Sequence, residues 1–300
     1  MGTAVPMVVA QRRESFDVIC AGEPLWKAAR DPRGLAASAV SAGLLNVARM
    51  LALTQVRVGV ATVLEDDRFG RASLAEIAAL GMNVGGVKLG SPVTELVVVD
   101  AAGGQSRVVS DPATAPELEI PPSWASQVLL LSGLSAVTSR LAAFCKAARG
   151  ARRDGTVVVL DVMGSLRHWA GRDPRVISMV LREVDVVRCS YLDLAVIGAD
   201  SASVRRAMRP NAALVVNDDS GTMATGAFGE VRVKAPRESI AADVFAEACT
   251  AAICAELARP ERIEETPSGR WHRILGKGAP RAARAWRVMQ RLGDTRSDRP

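Results

Sequence analysis

Aromatic residues make up only 4% of this 300-residue chain, as five Phe, five Trp and a single Tyr. So few rings leave little to stack the bases of a single-stranded nucleic acid, and the core must be filled by Val, Leu and Ala. Histidine is scarcer still: there are two, His168 and His272, far apart in the chain. Five cysteines, Cys20, Cys145, Cys189, Cys249 and Cys254, are scattered without a Cys-x-x-Cys pair. No Cys/His zinc cluster is expected from that inventory. The odd count of scattered thiols reads as reduced, mostly buried cysteines in a cytoplasmic protein. No stretch of 18 apolar residues is present, so no membrane span is expected, and the first residues lack the basic-then-apolar pattern of a signal peptide. There is no repeat of 20–50 residues and no low-complexity tract.

What is present is a globular composition, 49% apolar and 23% charged, on a length that suits one large domain or two small ones. The charge is uneven. From Arg270 to Pro300 nine Lys/Arg face two Asp, a local net of +7 against +6 for the whole chain, so the remainder carries about −1. Basicity concentrated at one end argues against a nucleic-acid-binding body.

Short apolar runs at Phe16–Ala21, Val56–Val63, Val128–Leu131, Thr156–Leu160, Val184–Val187 and Ala213–Val216 read as strands buried on both faces. Helical spacing falls between them at Gly43–Leu53, 71–80 and 136–149, and a hairpin is expected from Thr94–Val99 and Arg107–Val109 around a Gly-Gly turn. Residues 27–40, rich in Ala, Arg, Gly and Ser, have little strand character. The alternation predicts an α/β fold with a mainly parallel sheet covered on both faces. Ligands of such sheets bind beyond the carboxyl ends of the strands, where Glu23, Asp66, Asp161, Ser190 and Asn217 fall.

The longest helical run begins near Ser239 and continues to about Ala258. Ser239 is a natural N-cap, and Asp243 lies in the first turn, where a negative charge suits the helix dipole. A helix start also presents free N–H groups that hold an anion, and an Asp beside them can take a proton from a hydroxyl. Residue type alone leaves both roles open.

Taken together these pieces resemble the ribokinase-like, or PfkB, carbohydrate kinases over about residues 16–258. Phe16 to Pro24 resembles the family's opening strand and Gly-Glu turn. Gly43, Asn46 and the residues between them resemble the second half of its sugar motif. Val58 to Gly70, with Asp66, Asp67, Phe69 and Gly70, is the best-preserved stretch, and Ser239 to Asp243 corresponds to the Gly-Ala-Gly-Asp signature. The resemblance implies phosphoryl transfer from ATP, with Mg²⁺, to a hydroxyl of a monosaccharide or sugar acid, fructose-like or 2-keto-3-deoxygluconate-like. It makes Asp243 the catalytic base and the N–H groups of Ile240, Ala241 and Ala242 the anion hole. It assigns Asn46, Asp66 and Glu23 to the sugar, Asn217, Gly221 and Ser190 to the nucleotide, and Asp193 to the metal. The implied layout is a loose extension over 1–15, a kinase domain over 16–265 with lid pieces near 24–40 and 94–110, and a basic tail with a helix over 266–300. The lid is expected to be small and shortened. Lids of this family often pair, so a homodimer through the lid, a different dimer and none all stay open.

The departures cluster where the chemistry should be. The Gly-Ala-Gly turn is Ile240, Ala241 and Ala242, its leading Asp is Arg237, and the first Gly-Gly of the sugar motif is Ser41-Ala42. Lys27 stands where a sugar-gripping carboxylate is usual. After the middle strand Asp161 lacks its Asn and Arg companions, the metal-ordering Glu is Asp193, and the nucleotide loop carries Asn217, Asp218 and Asp219. These changes favour an alternative: an impaired pseudokinase that binds sugar or nucleotide, or a scaffold acting through its basic tail. There Arg281, Arg284, Arg287 and Arg291 recur at helical spacing with Trp286, Met289 and Leu292, which suits either a solvated helix face or docking to an acidic partner. His168 and Trp169 read as packing.

Overall fold

The central strands follow from where apolar residues run on without a break. In the computed structural model the described residues are 13–22, 24–30, 36–90, 95–99, 105–108, 119–132, 137–162, 175–196, 200–218, 220–235, 242–260 and 266–284. Within them β1 (Glu14–Gly22) leads into β2 (Pro24–Arg30), β3 (Ala36–Gly43) and α1 (Leu44–Ala52). Then come β4 (Val58–Glu65), α2 (Arg68–Ala79), β5 (Asn83–Gly90), β6 (Glu95–Val99) and β7 (Gln105–Val108). The middle of the chain gives β8 (Trp124–Ser132), α3 (Val137–Arg153), β9 (Val157–Asp161), α4 (Arg175–Leu181), β10 (Val186–Ser190), α5 (Tyr191–Val196) and α6 (Ser201–Ala207). The last elements are β11 (Ala213–Asp218), β12 (Gly221–Gly226), β13 (Gly229–Lys234), α7 (Ala242–Leu257) and α8 (Pro267–Gly276).

Nine strands form one sheet in the order β13-β12-β11-β10-β9-β8-β1-β4-β5. Pairings from β11 across to β5 are parallel, and β12 and β13 close one edge as an antiparallel hairpin. Side chains alternate between the faces, as the pleat requires. Val128 and Leu130 of β8 and Val159 of β9 pack with α1, α7 and α8, while Leu129, Leu131, Val158 and Leu160 pack with Phe144 of α3 and Val180 of α4. Helix α7 has apolar residues on every side, among them Val244, Ala248, Ile253 and Cys254, and is buried accordingly. The five cysteines are free and buried. Burial alone pushes the Cys20 thiol up, and burial with the nearby Asp193 pushes Cys189 up to about 12, so neither is a thiolate at neutral pH.

Four strands make a second sheet in the order β3-β2-β6-β7. The expected weakness of residues 27–40 as strand does not hold: β2 and β3 pair antiparallel over that stretch, and β2 also pairs in parallel with β6. The small sheet is therefore four-stranded. Ala and Ser do not oppose a strand when a neighbouring strand supplies backbone partners, which is why the propensity reading missed them. The Gly-rich β5 and the β12–β13 hairpin are likewise strands that apolar runs do not announce.

The segment from 266 onward also differs from a tail at its start. Thr266 caps α8 through its hydroxyl, and Trp271, Ile274, Leu275 and Ala282 are core residues. Trp271 stacks on Phe228 of the β12–β13 turn with centroids 5.3 Å apart. On α7, Glu256 is buried and holds Arg259 at 2.8 Å and Arg273 of α8. Arg281 and Arg284 lie in a following helical stretch at 278–284, and Arg281 donates to the Thr54 hydroxyl. Arg287, Arg291, Trp286, Met289 and Leu292 lie outside the described residues, as do residues 1–12, His168 and Trp169.

The carboxyl ends of the central strands align. Gly22 of β1 pairs with Thr62 of β4 and Ser132 of β8, Ser132 pairs with Asp161, and Asp161 pairs with Arg188. At Gly22, φ is +148°, and a Cβ would meet the Ser132 carbonyl oxygen at 2.0 Å, so only glycine lets β8 approach there. Gly22→Ala is expected to lower stability by at least about 1 kcal/mol in a denaturant titration; an unchanged midpoint contradicts this packing.

Candidate active site

At the carboxyl edge the side chains of Asp161, Arg188 and Asn217 all point to the face covered by α7. Asp161 is fully buried. One of its oxygens accepts from Arg188 Nη1 at 2.8 Å and the other from the Thr250 hydroxyl of α7 at 2.5 Å. Arg188 Nε donates to Asn217 Oδ1 at 3.0 Å, and Asn217 Nδ2 donates to the Thr222 hydroxyl at 2.6 Å. The network crosses β9, β10, β11 and β12 and ends on the helix above them. Burial opposes the Arg188 charge, but Asp161 and Asp193 more than offset it and hold the guanidinium protonated.

Ser190 and Asp193 form a reciprocal cap. Asp193 Oδ2 accepts from Ser190 N at 2.7 Å and from Ser190 Oγ at 2.8 Å, and Ser190 Oγ accepts from Asp193 N at 3.1 Å. Ser-x-x-Asp at a helix start is the capping-box pattern. Burial pushes the Asp193 carboxyl up, against the pull of Arg188 and the two Ser190 bonds.

In the turn between β11 and β12, Asp218 Oδ1 accepts from Ser220 Oγ at 2.6 Å, Ser220 N at 2.7 Å and Gly221 N at 2.8 Å. The Ser220 hydroxyl bond is the chief cause holding its carboxyl below the usual range. This carboxylate is thus turned into its own loop. Gly221 has φ +149°, and a Cβ there would lie 2.1 Å from the Val233 carbonyl oxygen. The glycine is fixed by close packing of the hairpin, whatever else it does.

On the other side of the edge, Asn46 of α1 is buried. Its Nδ2 donates to Glu247 of α7, and its Oδ1 accepts from Arg49 Nη1 at 3.2 Å. Glu247 also accepts from the Gly43 backbone N at 2.6 Å. Asp66, at the end of β4, pairs with Arg71 at 2.7 Å and is half exposed. Asp67 accepts from Gly70 N at 2.8 Å and so caps α2.

Glu247 and Thr250 of α7 touch this edge, Glu247 at Gly43 and Asn46 and Thr250 at Asp161. The first turn, with the backbone of Ala242 and Asp243, precedes these residues on the same helix. Glu23, Ser239, Ile240 and Ala241 lie outside the described residues, as does the side chain of Asp243. The structure brings Asn217, Gly221, Ser190 and Asp193 together over β10–β12, and sets Asn46 across α7 from them. Asp66 stands apart, on β4.

The sequence reading missed Arg188, Thr250 and Glu247. Each left a signal: Arg188 is a lone charge within an apolar strand, and Glu247 and Thr250 are polar residues within a mostly apolar helix. A charge at such a position is buried only with a partner.

No protein-family model matches the chain, and no curated protein matches it. Solved structures do. A fructokinase from Xylella fastidiosa with bound ATP is 18% identical with a TM-score of 0.70, over 94% of this chain and 99% of its own. An aminoimidazole riboside kinase from Salmonella enterica, complexed with its riboside and an ATP analog, is 18% identical at a TM-score of 0.70, over 91% and 93%. A PfkB protein from Polaromonas sp. JS666 is 18% identical at 0.68, over 90% and 95%. The fold is that of the PfkB sugar kinases. In this chain that fold joins a nine-stranded sheet to a four-stranded one.

Removing one partner from a buried ion pair typically costs about 3–5 kcal/mol, and replacing both by apolar residues costs much less. Arg188→Met should destabilise by about that amount in chemical denaturation, and Asp161→Leu combined with Arg188→Met should recover much of the loss. Equal stability of the single variant and the unaltered protein contradicts the pairing.

Proposed function

We propose that this chain is an ATP-dependent carbohydrate kinase, transferring the γ-phosphate to a hydroxyl of a monosaccharide or sugar acid of the fructose-like or 2-keto-3-deoxygluconate-like kind. The observation that supports the reading is that α7, in a fold shared with an ATP-bound kinase, seats Glu247 and Thr250 on polar groups at the carboxyl edge of the sheet, and Asp243 lies one turn before Glu247 on that helix. The acceptor oxygen bonds to the γ-phosphorus while the bond to the bridging oxygen breaks. ADP leaves, and the hydroxyl proton passes to Asp243. Such transfers depend on positioning and charge stabilisation more than on covalent chemistry. The backbone N–H groups of Ile240, Ala241 and Ala242 supply that stabilisation, and need no particular side chain to do so. Glu23, Asn46 and Asp66 serve the acceptor side, and Ser190, Asn217 and Gly221 the nucleotide side.

Among the described residues no group of three or more His, Cys, Asp or Glu could hold a metal ion. That fits Mg²⁺ held mainly by phosphates and its own waters, since Mg²⁺ at nucleotide sites usually takes one or two protein carboxylates. Asp193 is the carboxylate in reach, and with Oδ2 committed to Ser190 it would act through water. The ion supplies neutralisation of phosphate charge.

A second reading, a fold that binds ligand without turnover, is favoured by one feature. Asn46, Asn217 and Asp193 each make internal hydrogen bonds. Cytoplasmic placement, a homodimer through the lid and an acidic partner for the basic C-terminal segment belong to the same proposal. No helix among the described residues is long and apolar enough to cross a membrane.

ADP production from MgATP over a panel of hexoses, pentoses and sugar acids tests the reading. A sugar-dependent rate is expected, falling by about 10²–10⁴ in Asp243→Asn. A rate no higher than the variant's on every sugar contradicts it.

A further inference from the structure

Gly43 is where the lid meets the body. It is the last residue of β3, pairs with Pro24 at the start of β2, and precedes α1. Its φ of 65° is one that glycine adopts without strain. Gly43 is the N-cap of α1, and its N–H is one of the donors that a helix start leaves without an intrahelical partner. It donates instead to Glu247 Oε1 at 2.6 Å, across 204 residues of sequence. The other Glu247 oxygen takes the amide of Asn46, one turn further along α1. The chain of contacts goes on to α2, since Arg49 donates to Asn46 Oδ1 and pairs with Glu76 at 2.9 Å. Glu247 is itself buried, at 2% exposure, and stands four residues after Asp243 on α7, the spacing that puts two residues on one helix face.

From this geometry we infer that Glu247 is a positioning residue: it ties the lid hinge at Gly43 and the amide of Asn46 to the helix that carries Asp243. The inference rests on the kinase reading for its effect on activity. A carboxylate suits the task because both oxygens accept and both neighbours donate. It fixes the Asn46 amide so that the oxygen faces Arg49. A glutamine keeps one acceptor oxygen but turns a second N–H group towards a donor, so it can satisfy only one of the two. Displacing a substrate-positioning element by about 1 Å can cost on the order of 10²-fold in rate.

The test compares Glu247→Ala and Glu247→Gln with the unaltered protein in steady-state kinetics, and follows exchange of the Gly43 amide by NMR in all three. Glu247→Ala should lower kcat/KM for the sugar about 10²-fold, leave the KM for ATP within about twofold, and lose protection at Gly43. Glu247→Gln should fall between. If the KM values for sugar and ATP rise together, or the sugar kcat/KM is unchanged, Glu247 is structural only and the inference is overturned. If the unaltered protein turns over no sugar, the kinase reading fails by itself. The exchange arm then decides, and Gly43 protection equal in the unaltered protein and Glu247→Ala overturns the inference.

Discussion

The carboxylate of Asp161 has no contact with solvent, and both of its oxygens are occupied, one by the guanidinium of Arg188 and the other by the hydroxyl of Thr250. A lone buried carboxylate is so unfavourable that it would take up a proton or open the structure. Its partners are therefore constrained in turn. Arg188 must reach sideways from β10, which leaves Nε for Asn217, and Asn217 then holds Thr222 of the edge hairpin. Thr250 must face down from α7, which sets the rotation of that helix and so the direction in which Glu247 projects. The seating of α7 on the strand ends follows from these bonds as much as from its apolar contacts.

The same edge has two sides. Over β10–β12 the polar groups are arranged as caps and turns, with Asp193 closing the start of α5 and Asp218 folded into its own loop. On the α1 side the carboxylate of Glu247 joins α7 to the end of β3 and to α1. An arrangement this well satisfied before any ligand arrives is rigid, and rigidity suits a reaction governed by positioning. It also means that a ligand group competing for Asn46 or Asn217 must replace a bond already made, which is the physical content of the non-catalytic alternative.

The body of the fold was legible because its strands are continuous apolar runs: Val128–Leu131 and Val157–Leu160 are buried on both faces and could hardly be anything else. The lid strands were not. Residues 27–40 carry Ala, Ser and Arg; β2 is a strand by pairing with β6, sixty or more residues away in sequence, and β3 by pairing with β2. The β12–β13 hairpin hides because Gly221–Gly226 and Gly229–Lys234 hold no continuous apolar run. Of the positions drawn from the resemblance, Asp66, Ser190, Asn217 and Gly221 lie at strand ends and Asn46 and Asp193 on helices, but their internal partners did not show. Arg188 and Glu247 are single charges in apolar surroundings, and only the fold reveals which distant carboxylate or amide each one meets.

Hydrogen–deuterium exchange with and without MgATP bears most directly on the central claim, that nucleotide is received at the polar carboxyl edge beneath the start of α7. The account predicts added protection in peptides covering 186–193, 213–222 and 242–247, with the far face at α3 and α4 unchanged. Protection confined to other segments, or none at saturating MgATP, would contradict it.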